Sequence, residues 1–203
     1  MTWRIRRGGE PLVQESADRY YVLGQLVQAV TMLSEASDVA ALLPEVRSNL
    51  VMAVQGAKSV EEVAGISGRL TAIFGKITAP GYPAWGASRN TSRIVLAMME
   101  YDPVRRATME LRYSEELVNL LQSKGLSPCH LTFENCSLQE MLAANMKNGV
   151  LPSVFYTEGG FAREGAVILT GNSAVEVTGL VLDIAAWMGR LPLGGCEIER
   201  LYR

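Results

Sequence analysis

Apolar residues in this chain follow two spacings, and the alternation between them most limits what it can fold into. Stretches with one apolar face at helical spacing are interleaved with apolar runs of only a few residues. From Ser16, a candidate N-cap with Asp18 in the first turn, Leu23, Leu26, Val27, Val30 and Leu33 recur as one buried face of a helix. Pro44 ends a short helical piece, and Leu50–Val54 is short and apolar enough for a buried strand. Gly65 and Gly68 bracket a turn, a β-like stretch from Arg69 to Ala79 is broken at Gly75, and residues 79–86 are rich enough in Pro and Gly to read as loop. A helix opens at Ser88 with Ile94, Val95, Met98 and Met99 inward, and stops before Asp102-Pro103. A second runs from Ser114 to Lys124, with Gly125 at its C-cap. Short strands are expected at 130–133, 154–157 and 166–169, separated by a helix over 137–147 and followed by one over 173–187. Helices interleaved with short strands point to one layered α/β domain rather than a bundle or a barrel.

The expected division is an N-terminal extension over residues 1–15, a domain over 16–190 and a C-terminal tail over 191–203. With 48% hydrophobic and 20% charged residues, the 203-residue chain can bury a substantial core. A net charge of −2 leaves no global electrostatic footprint for nucleic acid or an anionic membrane, so any anion site is local. No apolar run reaches the roughly 18 residues of a membrane helix. The basic start, Trp3-Arg4-Ile5-Arg6-Arg7, lacks the apolar segment of a signal peptide and reads as an edge strand or a frayed end. Cys129, Cys136 and Cys196 show neither a disulfide framework nor zinc spacing, and read as the reduced thiols of a cytoplasmic protein.

The segment Gly86-Ala87-Ser88-Arg89-Asn90-Thr91-Ser92-Arg93 holds the most chemistry. A helix beginning at Ser88 aims free backbone N–H groups and a positive dipole end out of the preceding loop, with Arg89 and Arg93 one turn apart on one face. Gly86 and Ala87 are small enough for a phosphate to approach the backbone, and arginine offers planar two-point hydrogen bonding. The plainer alternative is a capped helix with solvated arginines. Two further turns, Pro44-Glu45-Val46-Arg47-Ser48-Asn49 and Ala64-Gly65-Ile66-Ser67-Gly68-Arg69, each set an arginine and small polar groups beside an apolar strand, where binding groups are often displayed. Trp85 either stacks on an aromatic ligand or closes the core. Asp102-Pro103 reads as a helix stop rather than a metal ligand, and the single histidine, His130, as a structural residue.

In order and spacing, PEVRSN at 44–49, VAGISGR at 63–69, GASR at 86–89 with Arg93 one turn on, Tyr101-Asp102-Pro103, Arg105 and Leu111-Arg112-Tyr113 resemble the ThiN-type thiamine-phosphate synthase domain. Gly159-Gly160, Arg163-Glu164-Gly165 and Val167-Ile168-Leu169 resemble its closing strands, and the likeness covers roughly Ser37 to Ala186. The resemblance implies a three-layer α/β/α domain with a mixed, largely antiparallel sheet, similar to that of class II aldolases. It also implies the joining of hydroxymethylpyrimidine diphosphate to thiazole phosphate, giving thiamine phosphate and pyrophosphate. Magnesium is expected with the diphosphate, and no bound organic cofactor. By position Arg69 matches the family's catalytic arginine and is assigned to the departing phosphates. Ser88, Arg89 and Arg93 are assigned to a phosphate, with Gly86 and Ala87 beside them and Arg47, Ser48 and Asn49 as further binding groups.

One position departs from the family. The GASR motif is followed there by a catalytic histidine and here by Asn90. An amide donates and accepts hydrogen bonds but neither takes up nor releases a proton near neutral pH. A metal held by several histidines is likewise excluded by a single histidine. Two functions follow: a domain that binds thiamine phosphate or its phosphorylated precursors without full catalysis, and an active synthase whose rate rests on phosphate stabilisation. The expected partner is the phosphorylated ligand, with no membrane and no nucleic acid bound by this chain alone, since too few residues precede the first long helix for a helix-turn-helix. Met-rich and apolar helix faces are compatible with a homo-oligomer.

Overall fold

A computed structural model describes residues 11–132, 138–146, 151–160 and 163–189. The Trp3–Arg7 segment, the 191–203 tail, Phe133, Cys136 and Cys196 lie outside the described residues. In chain order the first half contains α1 (Pro11–Glu35), β1 (Leu50–Ala53), β2 (Val63–Ile66), β3 (Thr71–Ile73), β4 (Lys76–Thr78), β5 (Pro83–Trp85) and α2 (Arg89–Met99). The second half contains β6 (Ala107–Arg112), α3 (Glu115–Ser123), β7 (Cys129–His130), α4 (Leu138–Ala144), β8 (Val154–Gly160), β9 (Arg163–Gly171) and α5 (Ala174–Met188). Seven strands form one sheet in the order β5-β2-β1-β6-β9-β8-β7, while β3 and β4 pair separately as a hairpin. Neighbours in the sheet run antiparallel except β7 and β8, so the sheet is mixed and largely antiparallel, as the family resemblance implies.

Strand register assigns the two faces. Leu50 lies opposite Met109, and Met109 opposite Leu169, so these side chains share a face with Leu111 and Val167. That face is covered by Val22, Leu26, Ala29 and Leu33 of α1 and by Val177, Val181 and Ile184 of α5. On the other face Phe155 and Ile168 pack against Ala97 and Met98 of α2 and Met141 and Leu142 of α4. Two helical layers enclosing one sheet make a three-layer α/β/α domain.

Several local expectations are corrected. α1 starts at Pro11, before the expected Ser16, and its buried stripe adds Val22 and Ala29 to the expected Leu26 and Leu33, while Val27 is 52% exposed. The turn expected between Gly65 and Gly68 forms one residue later, from Ile66 to Arg69, and Gly65 itself lies in strand β2, where a Cβ would come within 2.9 Å of Val51 Cγ1 on the adjoining strand. The glycine answers a packing demand rather than a turn. The 79–86 segment is not all loop, since Pro83–Trp85 forms the edge strand β5, where a proline is tolerated. β6, in the middle of the sheet, has no counterpart among the sequence expectations. Its Ala-Thr-Met-Glu-Leu-Arg string is poor in β-branched and aromatic residues, and pairing on both sides overrides that weak propensity.

Candidate functional site

On the α2 side, beyond the packed patch around Phe155, the sheet is left open as a cleft of about 610 Å³. That volume falls within the usual range for small-molecule sites. Its floor is sheet: Glu110 of β6, Thr157 of β8, Ala166 and Ile168 of β9. One wall is the start of α2, from Ala87 to Ile94, and another is formed by Pro44, Val46, Arg47 and Asn49 together with Arg69.

The two arginine turns are built alike. The Arg47 N–H donates to Pro44 O at 2.9 Å and the Arg69 N–H to Ile66 O at 3.2 Å, so each arginine closes a tight turn. Both have left-handed backbones, with φ of 70° and 66°, a region that L residues enter at a cost. The residues that follow them hold each other: the Leu70 N–H donates to Ser48 O at 2.8 Å, and the Ser48 N–H to Leu70 O at 3.3 Å. Arg69 Nη1 also donates to Val46 O at 2.9 Å. From β9, the Glu164 carboxylate accepts the Glu45 and Val46 N–H groups at 3.0 and 3.2 Å. Three segments distant in sequence thereby fix where Arg47 and Arg69 stand.

Helix α2 begins where the sequence signals placed it, with Gly86 at φ 69° turning the chain out of β5 and Ser88 at the N-cap. The Ser88 hydroxyl does not cap the helix; it donates to Thr91 Oγ1 at 3.0 Å. The first-turn N–H groups, which no helical carbonyl satisfies, therefore face the cleft beside Arg89 and Arg93 without a capping side chain.

Of the residues assigned from sequence, Arg47, Asn49, Arg69, Ala87, Ser88, Arg89, Asn90 and Arg93 all line this cleft. Two do not, and the Asn49 amide is taken up by the fold. Gly86 stands just behind the wall, its N–H donating to Val63 O at 2.9 Å. Ser48 is buried, and its hydroxyl donates to the carbonyl of Glu110. Asn49 donates through Nδ2 to Ile66 O at 3.0 Å and accepts the Ile66 N–H at 2.8 Å, so its amide laces the end of β1 to β2. Trp85 lies on the opposite face of the sheet under the Arg19 guanidinium, 3.9 Å from the ring centroid, and cannot stack on a ligand in the cleft. His130 is also on that far face, stacked on Tyr156 with centroids 4.8 Å apart. Asp102 pairs with Arg105 at 3.2 Å, which agrees with a helix stop.

Sequence reasoning missed Glu110, Thr157 and Glu164 as cleft residues. Glu110 is mostly buried, and burial pushes its carboxyl above the usual carboxylate range while the Arg69 charge pulls the other way. Its signal was available: in Ala107-Thr108-Met109-Glu110-Leu111 the apolar side chains alternate, which puts Glu110 on the face opposite the packed one. Among the described residues no group of three His, Cys, Asp or Glu side chains could hold a metal ion. No described helix is long and apolar enough to cross a membrane.

The family model described as thiamine-phosphate synthase ThiN matches residues 25–183. The chain is 32% identical over 168 residues to the thiamine-phosphate synthase ThiN of Methanothermobacter thermautotrophicus, covering 77% of this chain and 88% of that one. It is 31% identical over 142 residues to the bifunctional thiamine biosynthesis protein ThiDN of Methanocaldococcus jannaschii, covering 67% of this chain but 34% of that protein. Among solved structures, the C-terminal domain of protein MJ0236 superposes with a TM-score of 0.77 at 27% identity, over 86% of this chain and 98% of that one. The C-terminal domain of a phosphomethylpyrimidine kinase shares the fold, with a TM-score of 0.71 at 22% identity, over 82% of this chain and 99% of that one. The ordered motifs, the three-layer architecture and the extent of these matches agree, and the chain belongs to the thiamine-phosphate synthase ThiN family.

Proposed function

We propose that the cleft binds a phosphorylated half of thiamine, or thiamine phosphate itself, with the phosphates held between the N-terminus of α2 and the two arginine turns. The observation that carries this reading is the convergence of Arg47, Arg69, Arg89 and Arg93 with uncapped first-turn N–H groups on one cavity. Fixed donors and positive charge in a partly enclosed site favour a dianionic group over water. Magnesium fits as a counter-ion carried by a diphosphate, because Glu164, one of the two cleft carboxylates, is engaged by backbone N–H groups. The same reading carries a cytoplasmic site of action and leaves self-association to the exposed apolar side chains.

Asn90 decides how far this extends to chemistry. It stands in the first turn of α2 at the cleft, where it can orient a ligand but cannot exchange a proton. Binding is therefore the primary reading. Turnover to thiamine phosphate is the second, favoured by Arg69, which lines the cleft and would stabilise charge on a departing pyrophosphate.

Calorimetric titration with hydroxymethylpyrimidine diphosphate, thiazole phosphate and thiamine phosphate tests the first reading; no heat of binding with any of the three would sink it. Incubating both precursors with magnesium and assaying thiamine phosphate tests the second. A yield at the protein-free level for the unmodified chain, restored in Asn90→His, would assign the lost step to that one side chain.

A further inference from the structure

The cleft has a polarity that its phosphate-binding groups do not use. Arg47, Arg69, Arg89 and Arg93 line its walls, while Glu110 rises from β6 on the sheet floor beside Ala166 and Ile168 of β9, with Thr157 of β8 beyond them. The backbone of Glu110 is held on both sides. It pairs with Ile168 in the ladder, and its carbonyl accepts the Ser48 hydroxyl. The other carboxylate, Glu164, is occupied by the N–H groups of Glu45 and Val46. No hydrogen bond of the Glu110 carboxyl to another described residue accounts for its place on the floor, and a phosphate would be repelled from it. A mostly buried carboxyl with apolar neighbours suits a neutral heteroaromatic edge that offers one donor and one acceptor side by side.

We propose that Glu110 reads the aminopyrimidine ring of the ligand, accepting a hydrogen bond from the exocyclic amine and donating one to the adjacent ring nitrogen, while the arginine walls take the phosphates. This assignment rests on the phosphate-binding reading above and adds a specificity-determining residue to it. The two-point pair needs the carboxyl in its protonated form. Burial favours that form, and Arg69 opposes it. The charged groups that share the cavity with Glu110 are Arg47 and Arg69 from the turns, Arg89 and Arg93 from α2, and Arg163 and Glu164 from β9; α4 and β8 contribute the uncharged Leu138 and Thr157. Affinity for the pyrimidine half therefore falls as pH rises through the raised pKa of Glu110. Affinity for a phosphate with no aminopyrimidine shares only the weaker through-space repulsion from the ionised carboxylate, not the loss of the two-point pair.

The test uses three probes on the full chain: hydroxymethylpyrimidine phosphate, thiazole phosphate and inorganic pyrophosphate. On the unmodified protein, replacing the 4-amino group of the pyrimidine probe by hydrogen is expected to weaken binding about tenfold, the effect of one unpaired buried polar group. Glu110→Leu, checked by thermal melting for a native fold, is expected to weaken the pyrimidine probe about tenfold or more and leave the other two within about twofold. Glu110→Gln keeps a donor and an acceptor, so it retains pyrimidine binding and loses its pH dependence relative to the unmodified chain. Equal binding of the amino and desamino probes to the unmodified protein overturns the assignment, as does equal weakening of all three probes in Glu110→Leu. If thiazole phosphate and pyrophosphate still bind in those cases, the phosphate-site reading stands alone. If the unmodified protein binds none of the probes, both fail.

Discussion

The two faces of the sheet are made of the same strands and do opposite things. Toward α1 and α5, Leu50, Met52, Met109, Leu111, Val167 and Leu169 are buried and meet a continuous apolar layer. Toward α2 and α4, the apolar patch ends at Phe155 and Ile168, and the next positions along β6 and β8, Glu110 and Thr157, open into a polar cleft. Alternation along each strand lets one backbone supply both surfaces. The packed face supplies the core, and the open face carries the arginine turns, which hydrogen bonds among the two turns and Glu164 hold in place.

This contrast can be broken at either face. The largest effect is expected from Leu26→Ala, which removes a fully buried side chain between α1 and the sheet and should cost about 2–5 kcal/mol in urea unfolding with ligand affinity per folded molecule unchanged. A comparable loss of affinity in the folded fraction would show that the faces are not separable. Arg69→Ala makes the converse case. Its effect should fall on phosphate affinity, by about 1.5–3 kcal/mol in titration calorimetry, with the melting temperature little moved. Asn49→Ala removes both amide bonds and leaves the Ile66 N–H buried without its partner, while the Ile66 C=O keeps the Arg69 N–H, so a stability loss of about 1–3 kcal/mol is expected despite its place in the cleft wall. If instead stability holds and ligand affinity drops, Asn49 belongs with the binding groups.

The smallest effect is a pH-dependent one. Because burial raises the Glu110 pKa, the folded chain holds that proton more tightly than the unfolded chain does. The stabilisation is complete below the ordinary carboxylate range and is lost as pH rises through the raised value. Glu110→Gln cannot ionise, so its melting temperature should exceed that of the unmodified chain at pH 8, with the gap closing toward pH 4. A gap that does not change with pH would contradict the burial of that charge.

The elements legible in the sequence were those with local causes. The end of β5 and the start of α2 carry a glycine at positive φ and a Ser N-cap, and α3 and α5 open on serines whose hydroxyls accept the N–H groups of Leu117 and Glu176. Arg47, Arg69, Arg89 and Arg93 were also found, because turns and helix starts display charge in a recognisable way. What escaped were features whose cause lies on another segment. Gly65 reads as a turn until Val51 is placed beside it. β6 reads as nothing until β1 and β9 flank it. Asn49 looks like a ligand group until Ile66 claims its amide.

By itself, then, the sequence determined the layered α/β class, the family and the helix start that faces the cleft, because capping, periodicity and motif order are written within short spans. It also determined that position 90 has no acid–base group. Only the tertiary structure decided that Trp85 and His130 belong to the far side of the sheet, that Asn49 holds strands together, and that a single carboxyl stands on the floor beneath the arginines. Those outcomes depend on which strands pair and in what register. A shift of one residue turns every side chain of a strand to the other face, and contacts across the whole chain, rather than any local signal, set that choice.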